Sequence, residues 1–185
     1  MTKKKWYIIA PFISAVLIFL DQLTKYLARR DLSVLADGKY TLIDGVFSLT
    51  LSKNKGAAWG MFQDGTIFFS IVTILFSIAL IYFFTKFPEG KRYHVLRIIA
   101  IMVFSGGIGN LIDRLFMGYV TDFLYIDLIN FPIFNVADCY ITWPMVLFFF
   151  LVLFYYKDND LAFMGLKDDK KKDKDTEKES EVNQE

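Results

Sequence analysis

Four long apolar runs divide this chain, and they restrict its possible folds more than any other feature of the sequence. The runs are Trp6 to Leu20, Ile67 to Phe84, Val95 to Ile112 and Cys139 to Tyr156. At about 1.5 Å per helical residue, the second and the fourth can cross most of a hydrocarbon core about 30 Å thick. Helices are the only open-ended structures that satisfy the backbone polar groups there. The sequence therefore predicts an integral membrane protein, mainly α, with four transmembrane helices.

The distribution of basic residues predicts how these helices are oriented. An amino terminus in the cytoplasm leaves fourteen Lys and Arg residues inside and seven outside, as the positive-inside rule favours. No small-residue cleavage site follows the basic start and its apolar run, so we interpret this run as a retained helix and not as a cleaved signal peptide. Both chain termini are then expected to be cytoplasmic.

Beyond Tyr156 the sequence changes from apolar to highly charged. Residues 158–185 are rich in charges of both signs and have no apolar periodicity. We therefore predict a membrane-embedded domain of residues 1–157, followed by a disordered cytoplasmic tail of residues 158–185. The net charge of +1 is the sum over regions of opposite charge, so it carries no information about partners. Nothing in the sequence indicates nucleic-acid binding.

The segment between the first two apolar runs has the pattern of a short sheet. Residues 47–51 alternate apolar and polar side chains after the turn signal Asp44-Gly45, which predicts a half-buried strand in a small extracytoplasmic β-sheet. The motif Asn54-Lys55-Gly56-Ala57-Ala58-Trp59-Gly60 follows. Its small residues allow the backbone to approach a ligand or a neighbouring chain closely.

Polar side chains are concentrated around the third and fourth apolar runs. An ionisable residue inside a membrane or at its edge is a functional-site hypothesis by default. In the predicted orientation, the ends of the first and third helices and the start of the fourth meet at the outer face. Lys25 follows Asp21 at the i, i+4 spacing of a helical ion pair. The outer face then carries Asp21, Asn110, Asp113, Arg114, Asp122, Asn135 and Asp138.

A pair of these aspartates could perform acid–base chemistry. Two carboxyl groups at a desolvated site cannot both ionise cheaply, so one keeps a proton while the other acts as base toward a water. The fourth helix brings Asp138 to the outer face, and a loop after Gly118 can bring Asp122 there. The spacing permits this pair without establishing it. We interpret Asp113 as a residue that holds the end of the third helix.

Three other functions fit parts of this pattern. A magnesium-dependent phosphotransferase would use aspartate oxygens, but the closely spaced aspartates that it needs on one helix are absent. A proton-coupled transporter or scaffold would use carboxylates as relays, but no repeat or broken-helix pair is present. A Ser/Lys peptidase could use Lys25, but no motif places a serine beside it. The single Cys139 cannot form an internal disulfide, and the single His94, expected at the surface or facing the lipid headgroups, does not favour a zinc site.

Five motifs in this sequence, in their order and spacing, resemble those of the lipoprotein signal peptidases, bacterial signal peptidase II. They are Asp21-Gln22-Leu23-Thr24-Lys25, Asn54-Lys55-Gly56-Ala57-Ala58-Trp59, Gly109-Asn110-Leu111-Ile112-Asp113-Arg114, Val120-Thr121-Asp122-Phe123 and Phe134-Asn135-Val136-Ala137-Asp138. The resemblance covers the chain from about Trp6 to Tyr156. Any one motif would be weak evidence, whereas five in order make coincidence improbable.

The resemblance implies an aspartic endopeptidase of the inner membrane that needs no cofactor or metal. Its substrate would be a prolipoprotein whose lipobox cysteine already carries diacylglycerol, cut on the amino side of that cysteine at the extracytoplasmic face. We expect a monomer surrounded by membrane lipid. By motif, Asp122 and Asp138 would be the catalytic pair. The supporting or substrate-binding residues would be Asp21, Lys25, Asn54, Gly56, Asn110, Asp113, Arg114, Asn135 and Ala137.

Overall fold

Four helices in the described part of the chain are long and apolar enough to cross a membrane. The computed structural model describes residues 2–56 and 65–164. The helices are α1 (Lys3–Leu32), α2 (Thr66–Lys86), α3 (His94–Met117) and α4 (Val136–Phe154). The four-helix prediction is confirmed, and α1 continues twelve residues past the apolar run that predicted it. The Ala57-Ala58-Trp59-Gly60 part of the second motif lies outside the described residues.

The helix α3 lies at the centre of the bundle. In an apolar stretch of 18 residues of α3, 61% of the residues are buried, against 11% to 17% in the corresponding stretches of α1, α2 and α4. It packs against all three of these helices. Gly106 allows α4 to approach closely, because a Cβ at this position would overlap the backbone carbonyl of Ala137. The first turn of α4 is thereby held against α3, where the polar side chains of both helices meet.

A small antiparallel sheet lies at one end of the bundle. Its strands are β1 (Lys39–Ile43), β2 (Phe47–Asn54) and β3 (Val120–Tyr125), in the order β1-β2-β3. The β1–β2 hairpin follows from the predicted Asp44-Gly45 turn, in which Gly45 has a positive φ of 66°. The third strand was not predicted. Asp122 therefore lies on a strand, paired with Ser52 of β2, and not on a loop.

The opposite end of the bundle extends further along the chain than the predicted boundary at residue 157. A short helix, α5 (Asp158–Leu161), follows α4. Leu161 is buried in a cluster with Phe87 and Tyr156, and Arg92 donates a hydrogen bond to Asp160 over 2.7 Å. Packed structure thus continues into the first residues of the segment predicted to be a disordered tail. Residues 165–185 of that segment lie outside the described residues.

Candidate active site

Most of the polar side chains predicted at one face come together in a cluster between α1, α3, α4 and the sheet, in which Asn54 and Asp138 are half-buried and the others are buried. Side chains this polar are costly to bury unless each has partners. Asp21, Lys25, Asp113 and Asn135 are fully buried, while Asp122 is 3% exposed. We call this set the polar cluster. Its members are Asp21, Lys25, Asn54, Asn110, Asp113, Asp122, Asn135 and Asp138.

Asn135 joins the two aspartates predicted to form a pair. It precedes α4 as the N-cap residue, and Asp138 is the third residue of that helix, so their side chains and backbone N–H groups bond reciprocally in a capping box. The Asn135 N–H donates to Asp138 Oδ2 over 3.0 Å. Its side-chain Nδ2 donates to Asp122 Oδ1 over 2.7 Å. One residue therefore sets the positions of both carboxyl groups.

Two further asparagines bind the remaining oxygens of this pair. Asn110 of α3 donates from Nδ2 to Asp138 Oδ1 over 2.8 Å. Asn54, at the end of β2, donates from Nδ2 to Asp122 Oδ2 over 2.9 Å, and its Oδ1 accepts the N–H of Gly56 over 2.9 Å. Each of the four carboxyl oxygens of Asp122 and Asp138 thus accepts one hydrogen bond. The pair is held rigidly from three sides.

Lys25 and Asp21 form the predicted ion pair, and both are fully buried. Lys25 Nζ lies 2.9 Å from Asp21 Oδ2 and donates to Asn110 Oδ1 over 2.8 Å. Asp21 Oδ1 accepts the N–H of Ala137 over 3.0 Å, one of the N–H groups that a helix leaves without an intrahelical partner at its start. The ion pair connects α1 to both α3 and α4. It supports the aspartate pair without touching it.

Asp113 binds the start of β3. Its Oδ2 accepts the N–H of Thr121 over 2.8 Å, directly before Asp122 in the chain. Arg29 donates to the hydroxyl of Thr121 over 2.7 Å and lies 3.8 Å from Asp113 Oδ2. Sequence reasoning missed the roles of Arg29 and Thr121. The spacing could have indicated Arg29, because residues 21, 25 and 29 lie on one face of a helix.

The electrostatics of the cluster separate Asp122 from an ordinary carboxyl group. Burial and the nearby charge of Asp138 together raise the pKa of Asp122 to about 6, against the opposing effect of the Asn54 and Asn135 hydrogen bonds. Arg114 is half-buried, and its guanidinium lies 5.5 Å from the ring centroid of Phe69. Its charge acts on the pair, but no carboxylate oxygen of the described residues lies within 4 Å of it.

The arrangement suits proton transfer better than metal binding. In residues 2–56 and 65–164, no three His, Cys, Asp or Glu side chains come together as metal ligands would. The carboxyl oxygens instead accept hydrogen bonds from amide groups. Two acids that influence each other's charge, as Asp138 influences Asp122 here, can give and take back a proton during one reaction. A four-helix membrane bundle that holds two such carboxyl groups, one buried and one half-buried, has the architecture of a membrane-embedded aspartic peptidase.

Comparison with known proteins places the chain in one family of this class. The family model described as signal peptidase (SPase) II matches residues 13–154. The chain belongs to this family, whose members are aspartic endopeptidases that remove signal peptides from prolipoproteins. It is accordingly a multi-pass enzyme of the cytoplasmic membrane.

Individual relatives and solved structures agree with this family. The lipoprotein signal peptidase of Caldanaerobacter subterraneus subsp. tengcongensis is 44% identical over 143 residues, which cover 77% of this chain and 94% of the relative. That of Enterococcus faecalis is 39% identical over 142 residues, 76% of this chain and 86% of the relative. A solved bacterial membrane enzyme superposes with a TM-score of 0.68 at 32% identity, covering 80% of this chain and 94% of that structure.

Proposed function

We propose that Asp122 and Asp138 are the catalytic pair with which this signal peptidase II cuts its substrate. The observation that carries the proposal is the double role of Asn135, which bonds to Asp122 through its side chain and to Asp138 through its backbone. Two acids bonded to one residue keep their relative position while a proton moves between them and the substrate. The substrate is a diacylglyceryl-modified prolipoprotein, cut on the amino side of the lipidated cysteine.

The raised pKa of Asp122 suggests which of the two aspartates holds the proton and which acts as the base. Asp122 holds the shared proton, since its pKa is near 6, and Asp138 acts as the base. Asp138 takes a proton from a water molecule, the oxygen of that water attacks the scissile carbonyl carbon, and Asp122 gives its proton to the carbonyl oxygen. Collapse of the tetrahedral intermediate breaks the C–N bond. The leaving amine receives the proton that Asp138 accepted, and the new acid returns a proton to Asp122.

The other predicted residues have supporting roles in this proposal. Arg114 has a guanidinium near the pair without a carboxylate partner among the described residues, so it is suited to bind a substrate carbonyl oxygen. Asn54 and Asn110 orient the two acids, and Gly56 orients Asn54. Asp21, Lys25, Asp113 and Ala137 hold the ends of the helices and strand that carry the acids.

The position of the cluster at one end of the bundle suits a substrate that arrives within the membrane. We place this end and the sheet on the extracytoplasmic side and both termini in the cytoplasm, because the opposite end carries the excess of Lys and Arg. The lipidated cysteine of the substrate would then lie at the outer surface. Its acyl chains would remain in the hydrocarbon core, and the enzyme would act as a monomer.

Purified protein and a synthetic substrate test this function. The protein in detergent is incubated with a diacylglyceryl-modified prolipoprotein and with the same polypeptide lacking the lipid, and the products are analysed by mass spectrometry. We expect a product that begins with the lipidated cysteine, formed only from the modified substrate. We also expect cleavage to persist after treatment with a metal chelator. Complete loss in chelator, reversed by added metal, would overturn the acid–base mechanism.

A further inference from the structure

An apolar groove lies between α1, α2 and α3 and runs along α1 from Tyr7, at the end of the bundle remote from the polar cluster, to Ile18, one turn before Asp21. It has a volume of about 470 Å³, in the range of about 300 to 1,000 Å³ that is usual for ligand pockets. None of its lining residues belongs to the polar cluster. On α1, Tyr7 at one end of the groove precedes Asp21 by fourteen residues, or about 21 Å of helix. Six of its lining residues are Tyr7, Ala10, Ser14, Leu80, Phe84 and Ile101.

A buried cation without a carboxylate in direct contact lies beside this end of the groove. Arg97 is 2% exposed, and it donates from Nη2 to the carbonyls of Phe87 and Pro88 over 3.0 Å each. No carboxylate oxygen in the described part of the chain comes within 4 Å of it. The ring of Phe84, which lines the groove, contacts the ring of Phe87, and the Arg97 guanidinium lies 5.8 Å from that second ring. A buried charge of this kind is costly without a counter-ion.

Two ring nitrogens next to Arg97 also lack partners. Trp6 is 5% exposed, and the Arg97 guanidinium lies 5.9 Å from its ring centroid. The rings of Trp6 and His94 are 5.5 Å apart. In the residues that the structure describes, neither Trp6 Nε1 nor His94 Nε2 has a hydrogen-bond partner, although both are buried. His94 itself is half-buried at the start of α3, and one side of its ring packs against Trp6.

The exposed rim around this end of the groove is basic. Lys4 and Lys86 are exposed, and Lys3 is partly exposed. The opposing charge at the rim is Glu89, which is exposed and accepts the backbone N–H of Lys3 over 3.1 Å. With Arg97 behind them, these lysines give the rim an excess of positive charge. A ligand for this site should combine an apolar chain with an anionic group.

We propose that the groove binds one acyl chain of an anionic glycerophospholipid, whose phosphate lies at the rim beside Lys4 and Lys86, with the buried Arg97 behind them. Basic pockets between transmembrane helices suit anionic lipid headgroups. The signal peptide of a substrate is a poorer fit. Ten residues of helix about 10 Å wide fill more than about 1,000 Å³, over twice the groove. A signal peptide also begins with a positive segment, which this rim would repel.

Native mass spectrometry of the purified full-length protein tests the site. The protein is equilibrated in detergent with phosphatidylglycerol or with phosphatidylcholine of the same acyl chains. We expect one bound phosphatidylglycerol, with an affinity at least about five-fold higher than for phosphatidylcholine, because each nearby Lys or Arg contributes about 1 kcal/mol to binding an anionic lipid. The double variant Lys4→Gln, Lys86→Gln should lose most of this preference for phosphatidylglycerol. Ala10→Phe, which fills the groove, should weaken binding of both.

A matched variant and a competing ligand make the result decisive. Ala79 of α2 is exposed but does not line the groove, so Ala79→Phe should bind phosphatidylglycerol as the wild type does. Equal affinities of the wild type for the two lipids would overturn the proposal. So would equal phosphatidylglycerol binding by Ala10→Phe and Ala79→Phe. A synthetic signal peptide that displaces phosphatidylglycerol from the wild type, and binds Ala10→Phe more weakly than Ala79→Phe, would assign the groove to the substrate instead. These measurements do not involve proteolysis, so their outcome does not depend on whether Asp122 and Asp138 are the catalytic pair.

Discussion

Gly109 of α3 packs directly against the carboxylate of Asp21 on α1. A Cβ at position 109 would overlap Asp21 Oδ2, the oxygen that pairs with Lys25 over 2.9 Å. The absence of a side chain is therefore what allows α1 and α3 to meet at the level of the polar cluster. Gln22 reinforces this contact by donating to the Gly109 carbonyl over 3.0 Å.

Gly109→Ala should separate α1 from α3 and displace Asp21 from its partners. A displacement of about 1 Å in supporting groups can lower turnover by about 100-fold, and we expect a loss of at least this size together with a lower melting temperature. Gly107→Ala is the matched control, because a Cβ there would meet Thr73 Cγ2 at 3.5 Å, an ordinary contact. Similar turnover by the two variants, measured with the lipidated substrate, would contradict this role of Gly109.

Replacing Lys25 should destabilise the bundle strongly. Lys25→Met leaves the carboxylates of Asp21 and Asp113 buried with less positive charge nearby, and removing one partner of a buried ion pair typically costs about 3 to 5 kcal/mol. We expect the melting temperature in detergent to fall by about 10 °C. The control is Arg30→Ala on the same helix, because the Arg30–Asp31 pair is 57% exposed on both sides and its loss should leave the melting temperature unchanged. Equal effects of the two substitutions would refute the role assigned to Lys25.

Asp122 should make stability depend on pH. Its pKa is about 6 in the folded protein, against 3.8 for an ordinary aspartate, so the folded state binds this proton more tightly than the unfolded state does. The resulting stabilisation is fully present below pH 3.8 and is lost as the pH rises through about 6. It amounts to at most about 3 kcal/mol. Because Asp122→Asn cannot ionise, its melting temperature relative to wild type should rise by about 5 °C between pH 4.5 and 7.5.

Asp127→Asn provides the control for this pH series. The hydrogen bond from Lys39 lowers the pKa of Asp127, so its stabilisation is present above pH 3.8 and is lost only at lower pH. Its melting temperature relative to wild type should therefore stay constant from pH 4.5 to 7.5. A constant difference for Asp122→Asn over the same range would show that its pKa is not raised.

Two truncations should distinguish the contribution of α5, at the packed end of the bundle, from that of the charged tail. Ending the chain after Leu166 keeps α5, so we expect turnover within about ten-fold of wild type, because the removed residues have the composition of a solvated segment. Ending it after Lys157 removes Leu161, whose burial is worth about 1.5 to 3 kcal/mol, and the Arg92–Asp160 bond. Only the second truncation should lower the melting temperature. If the first lowers it equally, the tail has a structural role.

The sequence predicted those parts of the molecule that depend on local periodicity. The apolar runs predicted four membrane helices, and the i, i+4 spacing of Asp21 and Lys25 predicted their ion pair. The β1–β2 hairpin followed from a turn signal between alternating residues. In each case the interacting groups lie within a few residues of one another. Local spacing alone was therefore sufficient to predict these elements and this ion pair.

Parts that depend on distant contacts could not be predicted in this way. The strand β3 forms because residues 120–125 pair with β2, some seventy positions earlier, and a six-residue strand has no amphipathic period long enough to reveal this. Arg29 owes its position to Thr121, a partner on β3. The short helix α5 packs through Leu161 within a charged segment whose composition indicates disorder.

The central claim is that Asp122 and Asp138, and not Asp113, perform the chemistry. An amide can neither give nor take the proton, whereas Asn at position 113 can still accept the Thr121 N–H. The most direct measurement is turnover of the diacylglyceryl-modified prolipoprotein by purified Asp122→Asn, Asp138→Asn and Asp113→Asn, each shown to be folded by its melting transition. We predict no turnover by the first two and measurable turnover by the third. A folded Asp122→Asn that still cleaves, beside a folded Asp113→Asn that does not, would contradict the assignment.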